Sequence, residues 1–184
     1  MSLRSVDAAG DDPVAAGAPG RSGDPVAALA VVAVGAVVLR LGGSRYAVDM
    51  ADVAEVAPLP RVTRVPRTPS WLLGVANWRG RVLPVLDLRP LFATPTVPLA
   101  SSARLVVVSR EDLLVGVVAE AVPGVHDADL AAAAPAPPTL PADAAALVSG
   151  QVADRAGPIA VLDAAAVLAL RDRVDRRRGG SAAS

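Results

Sequence analysis

Apolar and polar residues along this chain fall into short blocks divided by glycine and proline, and the blocks predict β-hairpins. Val37–Leu41 and Tyr46–Asp49 are strand-type runs joined by Gly42-Gly43-Ser44-Arg45, where the glycines supply the positive φ angles of a tight turn. Asp52–Val56 fits one helical turn or a strand, and Pro58 and Pro60 end it. Val62–Val65 is strand-like, and Pro66 and Pro69 hold the following chain extended. Trp71–Ala76 and Arg81–Leu86 form a strand pair around Asn77-Trp78-Arg79-Gly80, with Gly80 as the turn residue. Asp87 stands where a helix N-cap belongs, ahead of a short helix over Leu88–Phe92 that Pro95 and Pro98 stop.

The second half repeats this grammar. Arg104–Ser109 and Leu113–Ala119 form a hairpin around Arg110-Glu111-Asp112, and their continuous Val/Leu content predicts strands buried on both faces. Pro123-Gly124-Val125-His126-Asp127 reads as a turn, and Ala131–Ala146 as an Ala/Pro loop. Leu147–Ala153 and Pro158–Leu162 pair around Asp154–Gly157. Asp163 then caps a helix from Ala164 to about Val174 with Val167, Leu168, Leu170 and Val174 as its apolar positions. One continuous core is expected to bury Leu41, Val48, Val75, Val85, Leu86, Val107, Val117, Val161 and Leu162. One pattern occurs twice: Gly80 to Leu88 and Gly157 to Ala164 each run glycine, short apolar strand, Leu-Asp, then a helix, with Asp87 and Asp163 76 residues apart. Two readings fit: chance likeness of two strand-to-helix junctions, or two related small β-barrels, each closed by a strand and plugged by a short helix.

Residues 1–30 are rich in Ala, Gly, Asp and Pro and read as a disordered tail, as do residues 175–184 with Arg176-Arg177-Arg178. The uncharged run Val26–Leu39 has fourteen residues, short of the roughly 20 a membrane span needs. Asp24, and no basic region, precedes it, which argues against a signal peptide. Direct membrane insertion is therefore not expected, and the end of the run begins the first strand.

Composition narrows the chemistry. The 184 residues suit one domain or two small joined ones. Cysteine and lysine are absent, so thiolate zinc sites, thiol nucleophiles, Walker-A loops and Schiff-base lysines are excluded. One histidine cannot build a multi-histidine metal site. Eighteen arginines balance eighteen carboxylates, so no global field draws in nucleic acid. His126 lies in a turn-like segment with no serine in a nucleophile-elbow context, and Asp127 and Asp129 read as loop carboxylates. No catalytic residue, cofactor or metal is expected. Polar chemistry concentrates at Asn77-Trp78-Arg79-Gly80-Arg81. A turn needs Gly and tolerates Asn, but Trp with two Arg has the composition of an interface anchor. A solvated turn is the other reading.

From Val38 to Leu91 the chain resembles the CheW-like domain family of bacterial chemotaxis. The resemblance is carried by Leu41-Gly42-Gly43, Tyr46-Ala47-Val48-Asp49, Val53 with Glu55-Val56, and Val62-Thr63-Arg64-Val65-Pro66. Trp71, Gly74-Val75, Asn77, Arg79-Gly80, Leu83-Pro84-Val85 and Asp87-Leu88-Arg89 complete it. Trp78 stands where the family usually has Leu. A looser likeness covers Val106–Val108, Gly116-Val117-Val118, Glu120, Val122, Gly150 and Ile159–Asp163, so that the domain would span 31–174. The resemblance implies a mainly β fold of two intertwined five-stranded SH3-like barrels with short helices and a C-terminal helix. It implies a non-catalytic cytoplasmic adaptor that couples a chemoreceptor cytoplasmic tip to the regulatory domain of a CheA-type histidine kinase, and meets membrane arrays only through those partners. A scaffold in a pilus or development pathway is the alternative. The protein-binding residues implied are Arg79, Asn77, Trp78, Gly80, Glu55, Val53 and Leu105.

Overall fold

The structure, a computed structural model, describes residues 35–179. The tail expected over 1–30 and the end of the one expected over 175–184 lie outside the described residues. Ten strands run in chain order as β1 (Ala36–Leu41), β2 (Ser44–Asp49), β3 (Val53–Pro58), β4 (Leu72–Trp78), β5 (Arg81–Leu86), β6 (Arg104–Arg110), β7 (Leu113–Ala119), β8 (Ala121–His126), β9 (Val148–Asp154) and β10 (Gly157–Leu162). They form two five-stranded sheets, ordered β8-β1-β2-β10-β9 and β3-β6-β7-β5-β4. Shifting each strand number in the first order by five, up for β1 and β2 and down for β8, β9 and β10, gives the second. Each sheet joins one hairpin to another by a parallel pair, β2 with β10 and β5 with β7. The sheets are intertwined because each draws strands from both halves of the chain.

Neither sheet closes by a strand ladder. In each, the chain that leaves one outer strand makes a single two-bond bridge to the other. Thr63, beyond β3, pairs with Val75 of β4 through bonds of 2.8 and 2.9 Å. Ala134, beyond β8, pairs with Gln151 of β9 through two bonds of 2.8 Å. A glycine precedes the strand residue each time, and the carbonyl passes so close that a Cβ on Gly74 would lie 2.2 Å from the Thr63 oxygen, and one on Gly150 2.6 Å from the Ala134 oxygen. The Asp87 and Asp163 junctions match as well, with their N–H groups donating to the carbonyls of Trp71 (2.8 Å) and Leu147 (2.9 Å), the residues preceding β4 and β9. The repeat seen in the sequence is therefore a duplication of topology.

Period-two alternation assigns side chains to three clusters where one core was expected. Leu39, Leu41, Tyr46, Val48, Leu86, Val106, Val108, Val115 and Val117 meet between the sheets, where the C-terminal helix adds Val167, Leu168 and Leu170. The opposite faces of the same strands fill each sheet's interior: Leu83, Val85, Leu105, Val107 and Val118 in one, Ala36, Val38, Ala47 and Ile159 in the other. Both faces of β1, β6 and β7 are covered, as their unbroken apolar runs predict. Of the nine expected core residues only Val75 is half-buried, because it sits on the outer strand β4 and faces away from the interior.

Other expectations need correction. Val62–Val65 is not a strand, since only Thr63 pairs. Asp52–Val56 combines both alternatives, a 3-10 turn at Met50–Asp52 followed by β3. The supposed turn around Pro123 is the strand β8, which tolerates Pro and Gly because, among the described residues, it pairs only with β1. Leu88–Phe92 makes one turn, with Leu91 and Phe92 donating to the Leu88 carbonyl, and Ala93 at φ 51° ends it before a helix is nucleated. The Ala/Pro loop holds a 3-10 turn and the helix α1 (Ala142–Ala145), which inserts Ala144 into the central cluster. The terminal helix α2 runs Ala164–Gly179, five residues past its expected end, and is capped by Asp163, whose carboxylate accepts from the Ala165 N–H at 2.8 Å.

Candidate functional site

The β4–β5 hairpin pairs Trp78 with Arg81 and turns through Arg79 and Gly80. Both turn residues have positive φ, 51° and 78°, as a two-residue primed turn requires. Gly80 meets that demand freely. Arg79 does so at the cost of a left-handed conformation that disfavours Cβ. Asn77 Oδ1 accepts from the Gly80 N–H at 2.9 Å and fixes the turn.

Glu55 of β3 completes the site from the opposite outer strand of the same sheet. Its Oε2 accepts from Trp78 Nε1 at 2.8 Å and lies 3.0 Å from an Arg79 terminal nitrogen. The Arg79 guanidinium sits 5.1 Å from the Trp78 ring centroid, within cation–π range. The Arg79 side chain is 70% exposed and that of Glu55 31%. Three side chains thus span the open edge between β3 and β4 and hold a guanidinium outward. Such a group forks onto carboxylates.

The structure therefore brings together Glu55, Asn77, Trp78, Arg79 and Gly80. It does not bring Leu105 to them. Leu105 is 1% exposed and points into the sheet interior toward Gly116, so it has no surface for a partner. Val53 is half-buried and packs on the central cluster, leaving it a small accessible edge.

Arg89 is the residue whose role the sequence hid. It is 2% exposed, with Nε and one terminal nitrogen on the two Asp87 oxygens at 2.9 and 2.8 Å. Its other terminal nitrogen donates to the Val97 carbonyl (2.9 Å) and to Glu120 Oε1 (3.2 Å). The same Glu120 oxygen accepts from the Gly42 N–H in the β1–β2 turn at 3.1 Å. One guanidinium thereby ties the two sheets together. Its pKa is raised, chiefly by the hydrogen bond to Asp87, so its charge is permanent. Asp87 is thus an ion-pair partner and also caps the single turn that follows, its Oδ1 accepting from the Arg89 N–H at 3.1 Å. The i, i+2 spacing Asp87…Arg89 carries no sequence signal for this, because arginine is ordinarily a surface residue.

His126 lies at the end of β8 rather than in a loop, with Nε2 3.4 Å from Asp154 Oδ2. Asp154 also accepts from Arg45 at 2.7 Å, which holds its carboxyl below the usual range. His126, Asp127, Asp129 and Asp154 line a cavity of about 440 Å³ at the open edge of the other sheet.

Comparison with known proteins gives a consistent picture. Residues 35–172 match the CheW-like domain. The chain is 32% identical to Protein PilI of Pseudomonas aeruginosa over 105 residues, 57% of this chain and 59% of that protein. It is 30% identical to chemotaxis protein CheW of Bacillus subtilis over 100 residues, 53% of this chain and 64% of the relative. Protein FrzA of Myxococcus xanthus is 38% identical over 107 residues, 58% of this chain and 66% of the relative. These matches span less than two thirds of each relative's length. The crystal structure of scaffolding protein TtCheW from Thermoanaerobacter tengcongensis superposes with a TM-score of 0.63 at 28% identity, covering 70% of this chain and 88% of that one. With a family match over most of its length and two intertwined sheets of the same kind, the chain belongs to the CheW-like domain family.

Proposed function

We propose that this protein is a non-catalytic adaptor that couples chemoreceptors to a CheA-type histidine kinase through the Arg79 turn. The observation that carries the reading is Arg79 itself. A turn is formed most cheaply by Gly or Asn at that φ, yet the chain keeps an arginine there and orients it with Glu55 and Trp78. A strained, exposed, prepositioned cation on a rigid hairpin serves a partner better than it serves the fold. The exposed pair with Glu55 contributes only about 0–1 kcal/mol to folding, whereas an interfacial arginine anchor contributes about 2 kcal/mol or more to binding.

The test is co-purification and titration with a chemoreceptor cytoplasmic tip and a kinase regulatory domain. Arg79→Ala is expected to leave Tm nearly unchanged and to weaken binding of at least one partner by about tenfold or more. Normal binding of both by a folded variant would remove the proposal's central residue. A scaffold role outside motility, in a pilus or development pathway, is the second reading. The relatives Protein PilI and Protein FrzA, which carry no chemotaxis name, favour it. Capture of a kinase from a pathway other than motility would select it.

A further inference from the structure

Charge is laid unevenly along this net-neutral chain. Between Val56 and Leu86 stand five arginines, Arg61, Arg64, Arg67, Arg79 and Arg81, and no carboxylate. All five are exposed. Among the described residues their only ion pair is that of Arg79 with Glu55. The fold strings these residues along one edge, from Arg64 beside Leu72 and Leu73 at the start of β4 to Arg79 and Arg81 at its end. The Thr63–Val75 bridge binds the connecting loop to β4, and Val62 packs inward on the interior cluster. Arg61 and Arg64 thus flank the bridge on the solvent side. Arg61 stands two residues before the bridge, and Asn77, where the Arg79 turn begins, two residues beyond Val75. Arg81 pairs with Trp78 across the hairpin. Arg67, at φ 60°, projects from a turn tied by Thr68 Oγ1 donating to the Val65 carbonyl at 2.8 Å. Two apolar side chains of the neighbouring strands are also exposed, Val82 next to Arg81 at 77% and Val56 of β3 at 41%, the latter on the face opposite Glu55.

We propose that this β3–β4 edge is a docking surface for an acidic, partly apolar segment of a partner protein, with the loop and hairpin arginines around Arg79 forking onto its carboxylates. The inference rests on the reading of the Arg79 turn as a partner contact and gives that partner its chemistry. Unpaired guanidinium groups attract carboxylates over roughly a Debye length and bind them bidentately on contact. Val82, beside Arg81, answers an apolar residue next to those carboxylates. A phosphate polyanion fits less well. Glu55 beside Arg79 repels it, and Val82 gains nothing from it. A protein segment can meet Glu55 with a donor of its own.

The probe is a fluorescein-labelled synthetic amphipathic peptide of glutamate and leucine, titrated with the full chain at increasing NaCl. Saturable binding is expected, with Kd rising by about tenfold or more between about 0.05 and 0.3 M salt. The triple variant Arg61→Ala, Arg67→Ala, Arg81→Ala is expected to keep its Tm and to bind the peptide at least about tenfold more weakly. Absence of peptide binding overturns the proposal, as does parental affinity in the triple variant. Tighter binding of duplex DNA or of phosphatidylserine vesicles at equal salt overturns it in favour of a polyanion. Arg79→Ala, assayed against receptor tip and kinase domain, separates this inference from the reading beneath it. If Arg79→Ala loses those partners while the triple variant keeps the peptide, the arginine surface fails and the coupling role stands. If the triple variant loses the peptide while Arg79→Ala keeps both partners, the surface stands and the coupling role fails.

Discussion

Three charged residues do different work here, and burial decides which. Arg89 is enclosed, bound to Asp87 and Glu120, and reaches both sheets. Arg89→Met would strand the buried Asp87 carboxylate, and is expected to lower stability by about 3–5 kcal/mol in urea titration. The double variant Arg89→Met, Asp87→Leu should recover much of that loss, since no charge then stays buried unpaired. Arg79 shows the reverse economy. Arg79→Gly relieves the left-handed strain, so its Tm should equal or exceed the parent's even as partner binding falls. Asp154 gives a pH-dependent case. Its carboxyl is held below its ordinary 3.8 chiefly by the Arg45 hydrogen bond, with help from the Ala156 N–H, while burial opposes the shift. A depressed carboxyl contributes stability that is complete above the unfolded value and is lost as pH falls through the folded one. The stability difference between parent and Asp154→Asn is therefore expected to shrink as pH falls below about 4.

At the scale of elements, the hairpins are local decisions and the closures are not. Gly42-Gly43, Arg79-Gly80 and Glu111-Asp112 each form a two-residue turn between strands of matched length. The two closing bridges depend on contacts between segments that meet only when the sheet has formed. They depend too on a glycine that lets a carbonyl pass. Gly74→Ala, also at φ 150°, and Gly150→Ala should each cost more than about 1 kcal/mol by denaturant unfolding. Gly43→Ala meets no neighbouring atom and suffers only from its φ of 83°, so it should cost less than Gly74→Ala. Leu86→Ala removes methylenes from the central cluster at a fully buried site, and about 2–5 kcal/mol is expected.

At the scale of the whole described domain, exchange of strands makes the two sheets interdependent. The first sheet takes β1 and β2 from the first half of the chain and β8, β9 and β10 from the second, and the other sheet does the converse. Neither half can complete a sheet alone, and the central cluster holds residues of both. Unfolding is therefore expected in one transition. The aromatic residues report it separately: Tyr46 belongs to the first sheet, its ring tilted 47° against that of Phe92 at 4.5 Å, while Trp71 and Trp78 lie in or beside the second. Superimposable tyrosine and tryptophan melting curves would bear this out, and two separated midpoints would refute it.

What the sequence determined by itself was whatever is settled by near neighbours. Period-two burial, turn glycines and the Asp163 cap are written in adjacent residues, so nearly all of the hairpin strands and the terminal helix could be placed from them. Asn77-Trp78-Arg79-Gly80 was legible for the same reason, since the composition of one turn betrays it. Only the tertiary structure decided the rest. β8 hid behind Pro123 and Gly124, which are tolerable because it is an outer strand among the described residues. Leu105 turned inward because Val106, its neighbour on β6, faces the other sheet. Arg89 became the core's central cation because Glu120, 31 residues away, and the Val97 carbonyl join the neighbouring Asp87 on it. Such pairings between distant segments release their energy only after the loops joining them have closed, and no short stretch of sequence records where those closures fall.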